Sequence, residues 1–363
     1  MLRVMVVFGG RSGEHEVSLA SARAVMDALR STGQYEVHPV GITREGRWIS
    51  GGDPMTDLTR QLDPGSGGAS SAPATTGGQQ GSLVSTSTRS AAGERLPSRL
   101  GEVDVVFPVL HGPRGEDGTV QGMLELAGIP YVGSGVLASA VGMDKVTMKK
   151  VFAYHGLAQV EWLDFTGLDW DRDRQHISGR VSREVGYPCF VKPSNMGSSV
   201  GISKVEDEEE LAAAVGTAAE FDRRIIVEEG LDAREIEVSV LGNEEPEVSL
   251  QGEIVIGSGG FYDYENKYTE GASEIIAPAD LPEDVVEKVQ HTAYNAYRAV
   301  DAAGMARIDF FLERGTNRLL LNEINTIPGF TPTSVYSRLW EKSGLPYEDL
   351  LQRLIQLALE RHG

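Results

Sequence analysis

The chain has 363 residues, 24% charged and 40% apolar, with a formal net charge of −20. That is ordinary for a globular chain too long for one core, so two or three domains are expected. The acidic balance offers no basic footprint for nucleic acid. No apolar run reaches the length of a membrane span or a signal-peptide core, and the single Cys189 cannot close an intramolecular disulfide, so a cytoplasmic location is expected.

In chain order, residues 2–8 read as a buried strand and Gly9 to Gly13 as a flexible turn. Helical spacing covers 17–30, a second strand covers 35–42 and a third 103–109. A helix at 119–127 is closed by Gly128 and Pro130. Alternating strands and helices predict an open α/β domain with a mostly parallel sheet over 1–143. Residues 63–93 interrupt it. They are almost entirely Gly, Ser, Ala, Thr, Pro and Gln, with Leu83 and Val84 the only large apolar residues, and read as a disordered surface insertion.

Residues 144–235 read as a second unit. A helix at 146–154 precedes a strand at 190–192, and Lys192 leads into the loop Pro193-Ser194-Asn195-Met196-Gly197-Ser198-Ser199-Val200-Gly201. Such a loop exposes backbone N–H groups and hydroxyls to phosphate oxygens, with Lys192 and Lys145 as cations. It lacks the Walker A pattern. A strand at 225–231 places Glu228 to offer a backbone carbonyl to a base, and Glu235 a carboxylate to ribose hydroxyls.

Residues 236–363 form the third unit. Arg307-Ile308-Asp309 and Glu323-Ile324-Asn325 flank a β-hairpin whose turn chemistry is Gly315-Thr316-Asn317. Side chains alternate along a strand, so Arg307 and Asp309 share a face, as do Glu323 and Asn325. Counting from the turn places Asp309 opposite Glu323 within one residue. Two carboxylates and a carboxamide then form an all-oxygen set for a hard cation such as Mg²⁺. The alternative is a solvated strand face bearing charge pairs.

Six separated strings, in order, resemble the ATP-grasp superfamily and within it the D-alanine–D-alanine ligases. They are Gly13-Glu14-His15-Glu16-Val17-Ser18; His111 to Gly118 (H-G-P-R-G-E-D-G); Gly133-Ser134-Gly135 with Met143-Asp144-Lys145; Lys192 to Gly201; Phe261 to Tyr268; and Asn322 to Thr331. The resemblance covers nearly the whole chain outside 63–93. It implies an α/β protein with α+β character in its C-terminal part, an ATP-grasp fold behind an N-terminal open α/β domain, and a mobile lid at 259–271.

The implied reaction joins two D-alanines at the expense of ATP through an acyl phosphate, supplying a peptidoglycan precursor. Asp309, Glu323 and Asn325 would hold two Mg²⁺ (or Mn²⁺), and Lys145, Lys192 and Lys267 would neutralise phosphates. Ser198, Ser199 and Asn322 belong to the nucleotide site. Glu228, Glu229, Leu231 and Glu235 would contact base and ribose, with Phe261 and Phe311 as apolar walls. Glu16 would take the ammonium of the first D-alanine, with His111 near its carboxylate. Arg307 and the Gly329 N–H would stabilise the oxyanion, and Ser334 would receive the second carboxylate. Ser198 and Tyr268 resemble a pair that joins Glu16 and closes the lid, which would keep water from the acyl phosphate. Lys267-Tyr268 implies a dipeptide rather than a depsipeptide product. A homodimer is implied as well. D-serine as second substrate, another ATP-grasp carboxylate–amine ligase and a non-catalytic nucleotide-binding protein stay open. By itself Glu16 also suits the first turn of a helix, and His111 a structural role.

Overall fold

The computed structural model describes residues 1–62, 82–83, 102–256 and 273–363. The N-terminal part runs β1 (Leu2–Gly9), α1 (His15–Ser31), β2 (Tyr35–Ile42), β3 (Trp48–Ser50), α2 (Pro54–Leu62), β4 (Ser82–Leu83), β5 (Val105–Val109), α3 (Thr119–Ala127) and α4 (Val136–Met143). β1 lies between β2 and β5, parallel to both, in a sheet ordered β4-β3-β2-β1-β5. Its Val4 to Phe8 run is buried on both faces, the pattern of a central parallel strand. The short β3 and the helix α2 were not foreseen; the three residues of β3 are too few to show a period. β4 pairs with β3 although it lies inside the segment expected to be disordered; the rest of that segment lies outside the described residues.

The middle part runs α5 (Lys145–Tyr154), β6 (Trp162–Thr166), α6 (Gly167–Arg172), α7 (Arg174–Arg180) with a π-turn at Val181–Val185, β7 (Cys189–Pro193), β8 (Ser203–Val205), α8 (Glu208–Ala219) and β9 (Arg224–Glu229). Its antiparallel sheet is ordered β6-β9-β7-β8. Glu208, Glu209 and Glu210 occupy the first turn of α8, where negative charge is favoured, and Asp207 caps it.

The last part runs β10 (Ala233–Gly242), β11 (Glu247–Val248), β12 (Gly252–Ile256), β13 (Ser273–Ile276), α9 (Glu283–Ala299), β14 (Gly304–Glu313), β15 (Leu319–Asn325), α10 (Val335–Lys342) and α11 (Tyr347–His362). The foreseen hairpin is β14–β15. Asp309 pairs with Glu323 and Arg307 with Asn325, and the register shifts after Asp309. Gly315 (φ 81°) and Asn317 (φ 55°) take the left-handed turn conformations.

The cores do not follow chain order. α11 packs Leu350, Leu354 and Ile355 into the cluster that holds β1, β5 and α1. A second cluster joins α9 to β10 and β14, and a third fills the middle part. The C-terminal helix thus clamps the N-terminal sheet beside the cleft that all three parts line.

Candidate active site

That cleft encloses about 960 Å³. Its walls carry Glu14, His111 and Glu116 from the first part, Lys145, Lys192, Ser198 and Ser199 from the second, and Glu235, Arg307, Asp309, Glu323, Asn325, Gly329 and Ser334 from the third.

On the β14–β15 wall, Arg307 donates from Nε and Nη2 to the two oxygens of Asp309, each at 2.7 Å. It also pairs with Glu237 of β10 at 2.9 Å. Burial alone would make the guanidinium easier to deprotonate, but Asp309 and Glu237 hold it charged. Asn325 donates from Nδ2 to Asp309 Oδ2 at 3.0 Å, which fixes the amide and leaves its carbonyl oxygen for a cation. Among the described residues no three His, Cys, Asp or Glu side chains form a metal cluster. The set is instead two carboxylates and a carboxamide, which suits a hard ion that also takes phosphate oxygens.

The cations come from two elements. Lys145 opens α5, where its ammonium lies 3.4 Å from Glu323 and donates to the Met196 carbonyl at 3.0 Å. The helix start is anchored because Asp144 accepts from Thr147 N, Asn195 and Arg224, tying it to the Ser/Gly loop. Ser198 and Ser199 of that loop have φ of 51° and 59°, a left-handed pair that is uncommon outside glycine. Lys192 projects from β7 and holds Glu228 Oε2 at 2.5 Å, while Lys149 lies 3.3 Å from Oε1. Burial would raise the Glu228 pKa, but the two ammonium groups bring it down to about 2.

Several expected contacts are arranged differently. The Glu228 carboxylate is buried between Lys192 and Lys149 rather than facing the cleft, and its backbone lies in β9 between β6 and β7. Glu229 accepts from Glu161 N at 3.3 Å. Glu16 stands at the cleft rim, with its side chain 62% exposed and paired to Arg44 at 2.9 Å. Glu14, two residues earlier, is the acid that reaches inward. Its Oε2 lies so close to Gly112 and Gly197 that a Cβ at either would meet it at 3.2 and 3.1 Å. The string G-E-H-E-V-S contains both acids; which one turns inward depends on where α1 begins, and Glu14 sits just outside its first turn.

His111 follows β5. Its Nδ1 lies 2.9 Å from the Ile327 carbonyl, and burial holds its imidazole below its ordinary pKa. Glu116 was not anticipated. It accepts from Gly112 N at 2.7 Å, and its pKa is pushed up to about 8, first by burial and then by the charge of Glu14. Ser334 stands at the N-terminal boundary of α10 without capping it, and its hydroxyl accepts from Thr331 N at 3.0 Å. Its hydroxyl would lie 3.3 Å from a Cβ at Gly329, so the two expected substrate contacts are neighbours. Phe311 and Asn322 also line the cleft. Leu231 does not, and Phe261, Lys267 and Tyr268 lie outside the described residues.

Family models described as the D-ala D-ala ligase N-terminus and C-terminus match residues 3–134 and 151–356. The chain is 48% identical to the D-alanine–D-alanine ligase of Geobacillus thermodenitrificans, over 99% of this chain and 96% of that protein. It is 46% identical to that of Bacillus licheniformis, over 99% and 96%. Among solved structures, the D-alanine–D-alanine ligase of Coxiella burnetii superposes with a TM-score of 0.77 at 34% identity, covering 99% of this chain and 94% of that one. The VanG D-Ala:D-Ser ligase of Enterococcus faecalis gives 0.80 at 36%, covering 98% and 99%. With both family models matched and full-length relatives at this identity, the chain belongs to the D-alanine–D-alanine ligase family.

Proposed function

We propose that this protein is an ATP-dependent ligase that converts ATP and two D-alanines to D-alanyl-D-alanine, ADP and phosphate, supplying the precursor dipeptide of peptidoglycan. The observation that carries this reading is the meeting, in one cleft, of a cation set (Lys145, Lys192), an oxygen-ligand set (Asp309, Glu323, Asn325) and an amino-acid pocket (Glu14, His111, Gly329, Ser334) around Arg307.

A carboxylate is a poor electrophile and must be activated by phosphorylation, a step that depends on positioning and charge neutralisation. Glu14 binds the first ammonium, the role first expected of Glu16, and His111 faces the carboxylate. Lys145 and Lys192 take phosphate oxygens under the Ser198-Ser199 loop. Glu235 and Phe311 border the ribose and base, with the Glu228–Leu231 backbone behind them. Asp309, Glu323 and Asn325 would hold Mg²⁺, which when bound would offset phosphate charge. When the second amine attacks, Arg307 and the Gly329 N–H receive the charge on the tetrahedral oxygen, and Ser334 holds the second carboxylate. Lys267, Phe261, Ser198 and Tyr268 keep their expected lid and nucleotide roles as part of this proposal.

Three units at 1–143, 144–235 and 236–363, a cytoplasmic location and a homodimer complete the reading. Among the described residues no helix is long and apolar enough to cross a membrane. The test is phosphate release from ATP over an amino-acid panel, with products identified by mass spectrometry and mass in solution by light scattering. D-alanine-dependent release with D-alanyl-D-alanine as product is expected. No release with D-alanine overturns the reading. The VanG relative motivates one second reading, D-serine as the second substrate: a hydroxymethyl differs little from a methyl in a permissive pocket. The same panel decides it.

A further inference from the structure

Lys149 lies one helical turn beyond Lys145 on α5 and is fully buried. Its ammonium reaches Glu228 Oε1 at 3.3 Å but makes no hydrogen bond among the described residues. Burial pushes its pKa down. An apolar side chain of the same length would fill this space without the desolvation penalty of a weakly held ammonium. Packing alone therefore gives no reason for a lysine here.

The partner of its partner supplies one. Glu228 Oε2 holds Lys192 at 2.5 Å, and Lys192 lines the cleft whereas Lys149 does not. With Lys149 present, three groups carry a net charge of +1. Glu228 is balanced from behind, and the Lys192 ammonium is fixed at the wall with charge to offer an anion. Without Lys149, Glu228 and Lys192 form a closed neutral pair, and a phosphate must compete with Glu228 for that ammonium.

We infer that Lys149 is a positioning residue for the nucleotide: it acts through Glu228 to hold and charge-balance Lys192 against the ATP polyphosphate. The inference rests on Lys192 being a phosphate contact, as proposed above.

The test is a double-mutant cycle read by MgATP calorimetry and steady-state kinetics on the full chain. Lys149→Met should raise the Kd and KM for ATP about tenfold, leave kcat within about threefold and leave the KM for D-alanine unchanged. In a Glu228→Gln background the same change should alter ATP affinity less than threefold. Lys149→Gln gives the same comparison if the methionine variant does not fold. ATP affinity within twofold of wild type in Lys149→Met, or an equal fold loss in both backgrounds, overturns the inference while leaving the nucleotide site in place. A wild-type protein that does not bind MgATP removes the nucleotide reading and this inference with it.

Discussion

Arg307 grips Asp309 with two parallel hydrogen bonds of 2.7 Å from two positions back on the same strand. The pair joins two steps of the proposed reaction. In that proposal Asp309 would help to hold the cation, and Arg307 would serve the oxyanion that follows. Removing one donor to a developing oxyanion typically costs roughly 3–4 kcal/mol, a factor of about 10²–10³ in rate. Arg307→Ala should lose dipeptide synthesis by at least that factor while binding MgATP with near-normal affinity. Lysine should rescue poorly, because it lacks the planar fork. Calorimetry beside steady-state synthesis separates the cases. Loss of ATP affinity in proportion to rate would make Arg307 a nucleotide ligand instead.

Across the ladder, Glu323 faces Asp309 and lies 3.4 Å from Lys145. Glu323→Gln keeps the shape and removes the charge that a hard cation requires. Turnover should be abolished at ordinary Mg²⁺, and wild-type turnover should stop in excess chelator. Near-wild-type rates in either condition would sink the metal assignment.

The hairpin was legible because strand period and turn chemistry are both local. Gly315 and Asn317 set the reversal, and counting from them placed Asp309 opposite Glu323. What lay beyond reach was long-range. Nothing local says that α11 would enter the β1 core, that Lys149 would meet Glu228, or that Glu116 would be half-buried beside Glu14. The choice between Glu14 and Glu16 turns on a smaller matter. The two acids are two residues apart, and the helix start alone decides which one turns inward.

That choice is directly testable. A hydrogen bond to a charged group contributes about 1.5–3 kcal/mol, so Glu14→Gln should raise the KM for the first D-alanine roughly 10- to 100-fold. Glu16 forms an exposed pair with Arg44, and such pairs contribute little. Glu16→Gln should stay within about threefold of wild type. The reverse ranking in substrate titrations would restore Glu16 as the ammonium ligand.

Glu116 gives a prediction in stability rather than rate. Its folded-state pKa, raised from the ordinary 4.5 to about 8 by burial and by Glu14, favours the protonated form in the native protein. The stability this group confers is therefore complete below about pH 4.5 and is lost as pH climbs toward 8, with no further loss above. Glutamine keeps an acceptor for the Gly112 N–H and cannot ionise. Relative to wild type, Glu116→Gln should gain stability steadily between pH 5 and pH 8 and hold a constant margin beyond, on the order of 2–4 kcal/mol. The lower end is the better expectation, since the side chain keeps partial contact with solvent. Urea melts of both proteins at pH 5, 7 and 9 measure the margin. A margin that does not change with pH would mean that Glu116 ionises normally in the folded protein, and that its charge coexists with Glu14 at the mouth of the amino-acid pocket.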